Sequence, residues 1–254
     1  MSPDTQSTTI PRHVRHGSNA GQPVSRRDGV LKVTGAATYA ADNHPDGMLH
    51  AVIVPSTIAR GRVRSLDVTA AKAHPGGVEV ITPDNRIPLH FDPNDKMPPF
   101  GFRVEVLQDD SVRYVNQPIA VVVAETLEAA TEGARLLAPR YEEELPRTGL
   151  DNGERYDAEA VGIGSPAVTA AGDIEAGFSA ATRVTEAEYY TPPQYHNAME
   201  PHAVVAEWNG DHLTLDMPNQ ALRMSAASYA QYFGIPAENV LIRSPFLGGG
   251  FGSK

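Results

Sequence analysis

The chain has 254 residues, 41% of them hydrophobic and 20% charged, enough apolar material for the core of one large domain or two small ones and too much for a disordered protein. Its 31 acidic against 21 basic residues leave a formal charge of −10, which argues against a partner recognised through its phosphate backbone, so no nucleic acid is expected. With no cysteine the chain can supply no disulfide, thiolate zinc site, cysteine nucleophile or iron–sulfur ligand, and 22 glycines with 21 prolines favour short elements joined by turns over a helical bundle.

Residues 1–28 show no apolar periodicity and read as an arm, with folding expected from about Asp28. The pair Arg26-Arg27 is followed at once by Asp28 and by no sustained apolar run, so it reads as structural rather than as a twin-arginine export signal. Leu49–Val54 predicts a strand. Ser65-Leu66-Asp67 offers a cap for a short helix running to Ala73, which His74-Pro75-Gly76-Gly77 stops, and Val78–Thr82 alternates as a second strand. Residues 83–111, with five prolines and little periodicity, predict a long irregular loop, a candidate lid or a surface excursion.

Val112–Val115 and Ile119–Ala124 predict strands, the second apolar throughout, as in a sheet covered on both faces. Leu127, Ala130, Ala134 and Leu137 fall on one helical stripe behind a Thr126 cap, Pro139 is expected to end that helix, and this strand–helix unit is expected to close the first domain. Residues 142–172 read as an extended connection opened by a solvated acidic triplet, Glu142-Glu143-Glu144. Asp173–Ala181 predicts a capped helix and Arg183–Thr191 a half-exposed strand. Val204–Trp208 and His212–Asp216 flank a hairpin turn at Asn209-Gly210; Leu222, Ala226, Tyr229 and Phe233 mark a helix ended by Gly234 and Pro236; Val240–Arg243 makes the last strand. The longest apolar runs fall far short of the ~20 residues of a membrane span, so no transmembrane segment is expected.

Chemistry concentrates in three places. The last strand feeds Gly248-Gly249-Gly250-Phe251-Gly252-Ser253-Lys254, where the absence of side chains lets backbone amides approach a ligand closely. Its register fits neither a Walker loop, which needs Gly where Ser253 stands, nor the dinucleotide fingerprint. His196 and His202 flank Glu200, but their spacing is not that of a helical zinc site, and histidines satisfied beside a turn are the simpler reading. Gln220, between strand and helix, is either a capping amide or a donor to an oxygen ligand.

Arg27-Asp28-Gly29, Lys32–Gly35, Ala37, Tyr39, Asp42, Ala198–His202, Asn219-Gln220 and Gly248–Gly252 together resemble the N-terminal part of the molybdenum-binding subunit of the xanthine dehydrogenase and aldehyde oxidoreductase family, and are most similar to bacterial aldehyde oxidoreductases of three separate subunits. The resemblance runs from about Arg26 to Lys254. It implies an α+β fold: an arm at 1–25, an α/β-hammerhead domain at 26–146, a linker at 147–172 and, from 173 to 254, the first, incomplete part of a mixed α/β molybdopterin-binding domain.

It also implies that Gln220 and Ala221, with the backbone of Gly249, Gly250, Phe251 and Gly252, sit against the oxo and dithiolene ligands of a molybdenum–molybdopterin cofactor in its cytosine dinucleotide form. Gln220 and Phe251 are expected beside the metal without ligating it. Pro218 and Ser253 depart from the family pattern, where a small hydroxylated residue and a glycine are usual. The chemistry implied is oxidation of an aldehyde to a carboxylic acid with water as oxygen source, the electrons passing to a [2Fe-2S] subunit and an FAD subunit, with the loop 83–111 shaping the substrate funnel. The family's general-base glutamate lies beyond the position of Lys254, so no catalytic residue is expected in this chain, which would be catalytically incomplete until joined by the C-terminal remainder of the molybdenum subunit. Hydroxylation of an N-heterocycle and a non-catalytic scaffold are the alternatives. A cytoplasmic place is expected, or a periplasmic one if a partner carries the export signal.

Overall fold

The computed structural model describes residues 21–90, 105–149, 152–161 and 165–254. In the first part, the apolar run after Gln117 forms β5 (Pro118–Ala124), the middle strand of an antiparallel sheet between β1 (His50–Pro55) and β3 (Glu79–Ile81). Val122 lies opposite Val52 on one side and Val80 on the other and is fully buried. One face of this sheet is covered by α3 (Leu127–Arg135), which forms where expected: the Thr126 side chain accepts the Ala129 N–H at 3.1 Å, and Glu128 in the first turn and Arg135 in the last complement the helix dipole. Ala130 and Gly133 bring the helix close enough for Val54, Val78, Val80, Val122 and Leu137 to share one core.

Two expectations fail here for one reason, an unforeseen second sheet. Ser65-Leu66-Asp67 ends β2 (Gly61–Asp67), which pairs antiparallel with β4 (Ser111–Val112) and β6 (Ala138–Glu143), and only Asp67 also serves the start of the helix that follows. A bulge between Val63 and Ser65 breaks the alternation that would have revealed β2. The helix itself is the single turn α2 (Thr69–Lys72), with Asp67 Oδ1 accepting the Thr69 N–H at 2.9 Å. Pro139 does not end α3, which stops at Arg135; it lies within β6, an outer strand of its sheet, where a missing N–H is tolerated. The acidic triplet does lie on a solvated face, with Glu142 paired to Arg64 and Glu144 to Arg60.

The strand expected at Val112–Val115 pairs only through Ser111 and Val112. Residues 91–104 of the long loop lie outside the described residues; the Gln108 side chain ties its two flanks, accepting the Leu89 N–H at 3.1 Å and donating to the Val106 carbonyl at 2.9 Å. The expected connection holds a short antiparallel pair, β7 (Ala160–Val161) with β8 (Ser165–Pro166). The arm's residues 1–20 are likewise outside the described residues, and α1 (Gly29–Val33) is the first element among those described.

In the second part, α4 (Ile174–Ala180) is capped by Asp173, which accepts the Ala176 N–H at 3.0 Å. Arg183–Thr191 forms no strand: its alternating residues are exposed and meet no neighbouring strand, so the backbone has no ladder to join. The hairpin of β9 (Val205–Asn209) and β10 (His212–Asp216) turns at Gly210-Asp211, one residue beyond the expected dipeptide, with Gly210 at φ 63°. From β10 the chain crosses through α5 (Leu222–Phe233), ended by left-handed Gly234, to β11 (Val240–Arg243), which pairs parallel to β10. Leu213, Leu215, Ala230, Val240 and Ile242 fill the space between helix and sheet.

The first part reaches this crossover at two points. Asn43 donates to Asp216 at 2.7 Å, with Tyr39 against Phe246, and the His90 N–H donates to the Tyr232 carbonyl at 2.9 Å. Among the described residues no helix is long and apolar enough to cross a membrane.

Candidate functional site

Because β10 and β11 are parallel, the segments that leave them, 217–221 and 244–254, emerge at the same end of the sheet, the place where ligands bind in open α/β structures. The two segments are stitched together. The Met217 N–H donates to the Arg243 carbonyl at 3.1 Å, the Asn219 N–H to Ser244 Oγ at 3.2 Å, and the Gln220 N–H to the Lys254 carbonyl at 3.1 Å. Asn219 folds its Oδ1 back to the Ala221 N–H at 2.7 Å and gives its Nδ2 to Ser225 Oγ at 2.8 Å, which sets the turn into α5. Beneath, Asp216 receives the Arg243 guanidinium, a bond that raises the already high pKa of that arginine and fixes its charge.

The glycine loop closes onto Gln220. Its Oε1 accepts two backbone N–H groups, from Gly252 at 2.9 Å and from Lys254 at 3.3 Å. Two donors at one atom identify that atom as the oxygen, so the Nε2 group is the one left free to donate. A Cβ on Gly250 would stand 2.4 Å from Gln220 Cδ, so any other residue there has to displace the glutamine side chain. Beyond it the backbone turns through Phe251 at φ 52° and Gly252 at φ 96°, and both the Ser253 N–H and its hydroxyl bond the Gly250 carbonyl at 2.8 Å. A non-glycine residue at positive φ is a strained conformation that persists where the surroundings impose it. The Phe251 side chain is 73% exposed.

The six residues expected at a cofactor thus divide. Gln220, Gly250 and Gly252 are brought into direct contact, Gly249 and Phe251 follow on the same loop, and Ala221 stands at the start of α5 with its own N–H already taken by Asn219. The Gly252 N–H, expected to face a ligand, serves Gln220 instead. What the site leaves unpaired is a set of neutral donors: Gln220 Nε2 and the Phe251 N–H, on exposed residues, and the N–H of the buried Gly250, none of which meets a protein acceptor among the described residues. Such a set suits the oxo, dithiolene and phosphate groups of a molybdopterin, which need donors at close range and no Cβ in the way. His196 and His202 form no cluster of metal-ligating side chains among the described residues.

Sequence reasoning assigned no role to Asn219, whose side chain sets the Gln220 turn, or to Glu200, which contacts Gly248 from 48 positions away. The motif residues around each were visible; their partners, remote in sequence, were not.

Two family descriptions match the chain: the α/β-hammerhead domain of aldehyde oxidase and xanthine dehydrogenase over residues 34–145, and a molybdopterin cofactor-binding domain over residues 161–254. The aldehyde oxidoreductase molybdenum-binding subunit PaoC of Escherichia coli O157:H7 is 38% identical over 236 residues, covering 92% of this chain and 31% of PaoC. The chain therefore spans about a third of the length of that relative. Among solved structures, quinoline 2-oxidoreductase from Pseudomonas putida 86 superposes with a TM-score of 0.70 at 25% identity, over 90% of this chain and 30% of that one. The aldehyde oxidoreductase of Desulfovibrio gigas gives 0.71 at 23% identity, over 89% and 26%, and shows the fold.

Proposed function

The chain belongs to the aldehyde oxidase and xanthine dehydrogenase family, and from that premise we propose that it forms the hammerhead domain and the opening of the molybdopterin-binding domain of a molybdenum hydroxylase acting on aldehydes. The observation that carries this reading is the exposed Gln220, whose Nε2 is left free to donate, beside the N–H groups of Gly250 and Phe251, which have no protein acceptor among the described residues. When bound, a molybdenum–molybdopterin group supplies a two-electron acceptor and activates water for attack on the carbonyl carbon.

The residues of this chain bind and orient. Gln220 Nε2 donates to an oxygen of the cofactor without adding charge, while its Oε1 keeps the loop from drifting. Gly249, Gly250 and the strained backbone at Phe251 would hold the group through close backbone N–H donors, and the exposed Phe251 ring would be available to pack against it. Residues 1–254 hold no cysteine, so the clusters that carry electrons away lie outside them; similarity to PaoC, a molybdenum-binding subunit, supports placing them on a [2Fe-2S] subunit and the flavin on an FAD subunit, with the remainder of the molybdenum subunit completing the site. The pterin is read as the cytosine dinucleotide form. Similarity to PaoC favours aldehydes over N-heterocycles as substrates.

The test is elemental analysis and intact mass of the complex that purifies with this chain from its native host, followed by a panel of aldehydes and N-heterocycles. Molybdenum near one per complex, iron, and aldehyde turnover are expected. Turnover of heterocycles alone would move the substrate class, and a complex without molybdenum would leave a scaffold.

A further inference from the structure

Glu200 is 7% exposed, and nothing in the role of Gln220 accounts for it. It meets both ends of the glycine loop. At the near end the contact is reciprocal: the Glu200 N–H donates to the Gly248 carbonyl at 3.1 Å, and the Gly248 N–H donates to Glu200 Oε2 at 2.8 Å. A Cβ on Gly248 would come within 2.5 Å of the Glu200 Cβ, so the approach itself requires glycine. At the far end, Lys254 Nζ donates to the Glu200 carbonyl at 2.6 Å and lies 3.4 Å from Oε2. The two side chains are 0% and 4% exposed. A carboxylate and an ammonium withdrawn from water to this degree hold each other strongly, because removing either leaves the other charge buried and unpaired.

We propose that Glu200 and Lys254 form a buried clasp that closes the loop Gly248–Lys254 and thereby fixes the donors the site presents. Neither residue offers a polar group outward; both are positioning residues. Lys254 ties the clasp to Gln220, since its N–H donates to Gln220 Oε1 while its carbonyl accepts the Gln220 N–H. Displacing the lysine shifts the glutamine amide and, with it, the Nε2 donor. The remaining oxygen, Glu200 Oε1, is buried without a partner, so the carboxylate depends on Gly248 and Lys254 for its compensation. The consequence for the molybdenum group rests on the function proposed above; the clasp itself does not.

Hydrogen–deuterium exchange of the complex from the native host tests this with three variants. Glu200→Gln keeps an acceptor for Gly248 but removes the negative charge, Lys254→Met keeps the length of the side chain but removes the positive one, and the double variant removes both. Each single variant should exchange the segment 248–254 at least about ten-fold faster, as expected for loss of a charged hydrogen bond, with β10 unchanged. The double variant should lie closer to wild type than either single one, because no unpaired charge remains. Single variants that exchange at the wild-type rate, effects that simply multiply in the double variant, or acceleration that extends to β10 would each overturn the clasp. A wild-type complex lacking molybdenum would instead remove the proposed function and leave the exchange result standing.

Discussion

Gln220 and Gly250 occupy one another's space: the glutamine side chain lies where a β-carbon of residue 250 would be, 2.4 Å from Cδ and 2.8 Å from Cγ. The contact is not one the glutamine can yield freely, because its Oε1 is held by two backbone N–H groups. Gly250→Ala should therefore push the amide out of place at a cost of about 1–3 kcal/mol, as for overpacking elsewhere. Denaturant unfolding should show that loss, and the molybdenum content of the purified complex should fall with it.

Replacing Gln220 by glutamate separates the two ends of its amide. An oxygen remains to accept the Gly252 and Lys254 N–H groups, while the outward donor becomes a charged acceptor. The melting temperature of Gln220→Glu should stay close to that of the wild type, and molybdenum retention should drop sharply. Equal retention in both proteins would show that Nε2 does not hold the group.

Gly133 lies on α3, where alanine would ordinarily gain about 1 kcal/mol of helix propensity. Its missing Cβ would meet Val122 Cγ1 at 3.1 Å and Val78 Cγ1 at 3.2 Å. Both valines belong to the buried core, and their branching leaves few rotamers to retreat into. Gly133→Ala should consequently destabilise the hammerhead part by about 1 kcal/mol or more despite the propensity gain, read from the shift in the urea midpoint.

The fold is legible in proportion to how local its signals are. Thr126, Asp173, Gly210 and Gly234 each act within three residues of themselves, and each cap or turn is found within a residue of where the sequence places it. β2 and β6 escape notice because one carries a bulge and the other a proline, and their pairing joins Gly61 to Glu143 across the whole hammerhead part. Arg183–Thr191 shows the opposite error: period-two alternation without a partner is no strand. At the site, the glycines and Gln220 stand out by composition and motif. The pairing of Glu200 with Lys254 does not, because a contact 54 positions apart leaves no periodic trace.

Acid should weaken the first part before neutral pH does. Hydrogen bonds from Arg113 hold the Asp109 carboxyl below its ordinary range, as Arg26 does for Asp28, the Thr69 backbone N–H for Asp67, and Lys72 for Glu79. A carboxyl whose folded pKa is depressed stabilises the protein above its unfolded value, about 4, and loses that contribution as the pH falls through the folded value. The melting temperature should accordingly be flat from about pH 7 to 5 and decline below about pH 4. Asp109→Asn should make that decline shallower; an unchanged slope would show that the ion pair with Arg113 is too solvated to matter.

The crossover β10–α5–β11 is held from outside at opposite ends. At the end bearing the loop, Asn43 and Tyr39 reach Asp216 and Phe246; at the far end, His90 bonds the Tyr232 carbonyl and lays its ring over Gly234. Melting of this unit breaks both grips, which couples it to the first part although each part has a core of its own. Heat should then find one enthalpy peak for the two parts together, with calorimetric and van't Hoff values in agreement; two separate peaks would show that the grips do not couple the cores.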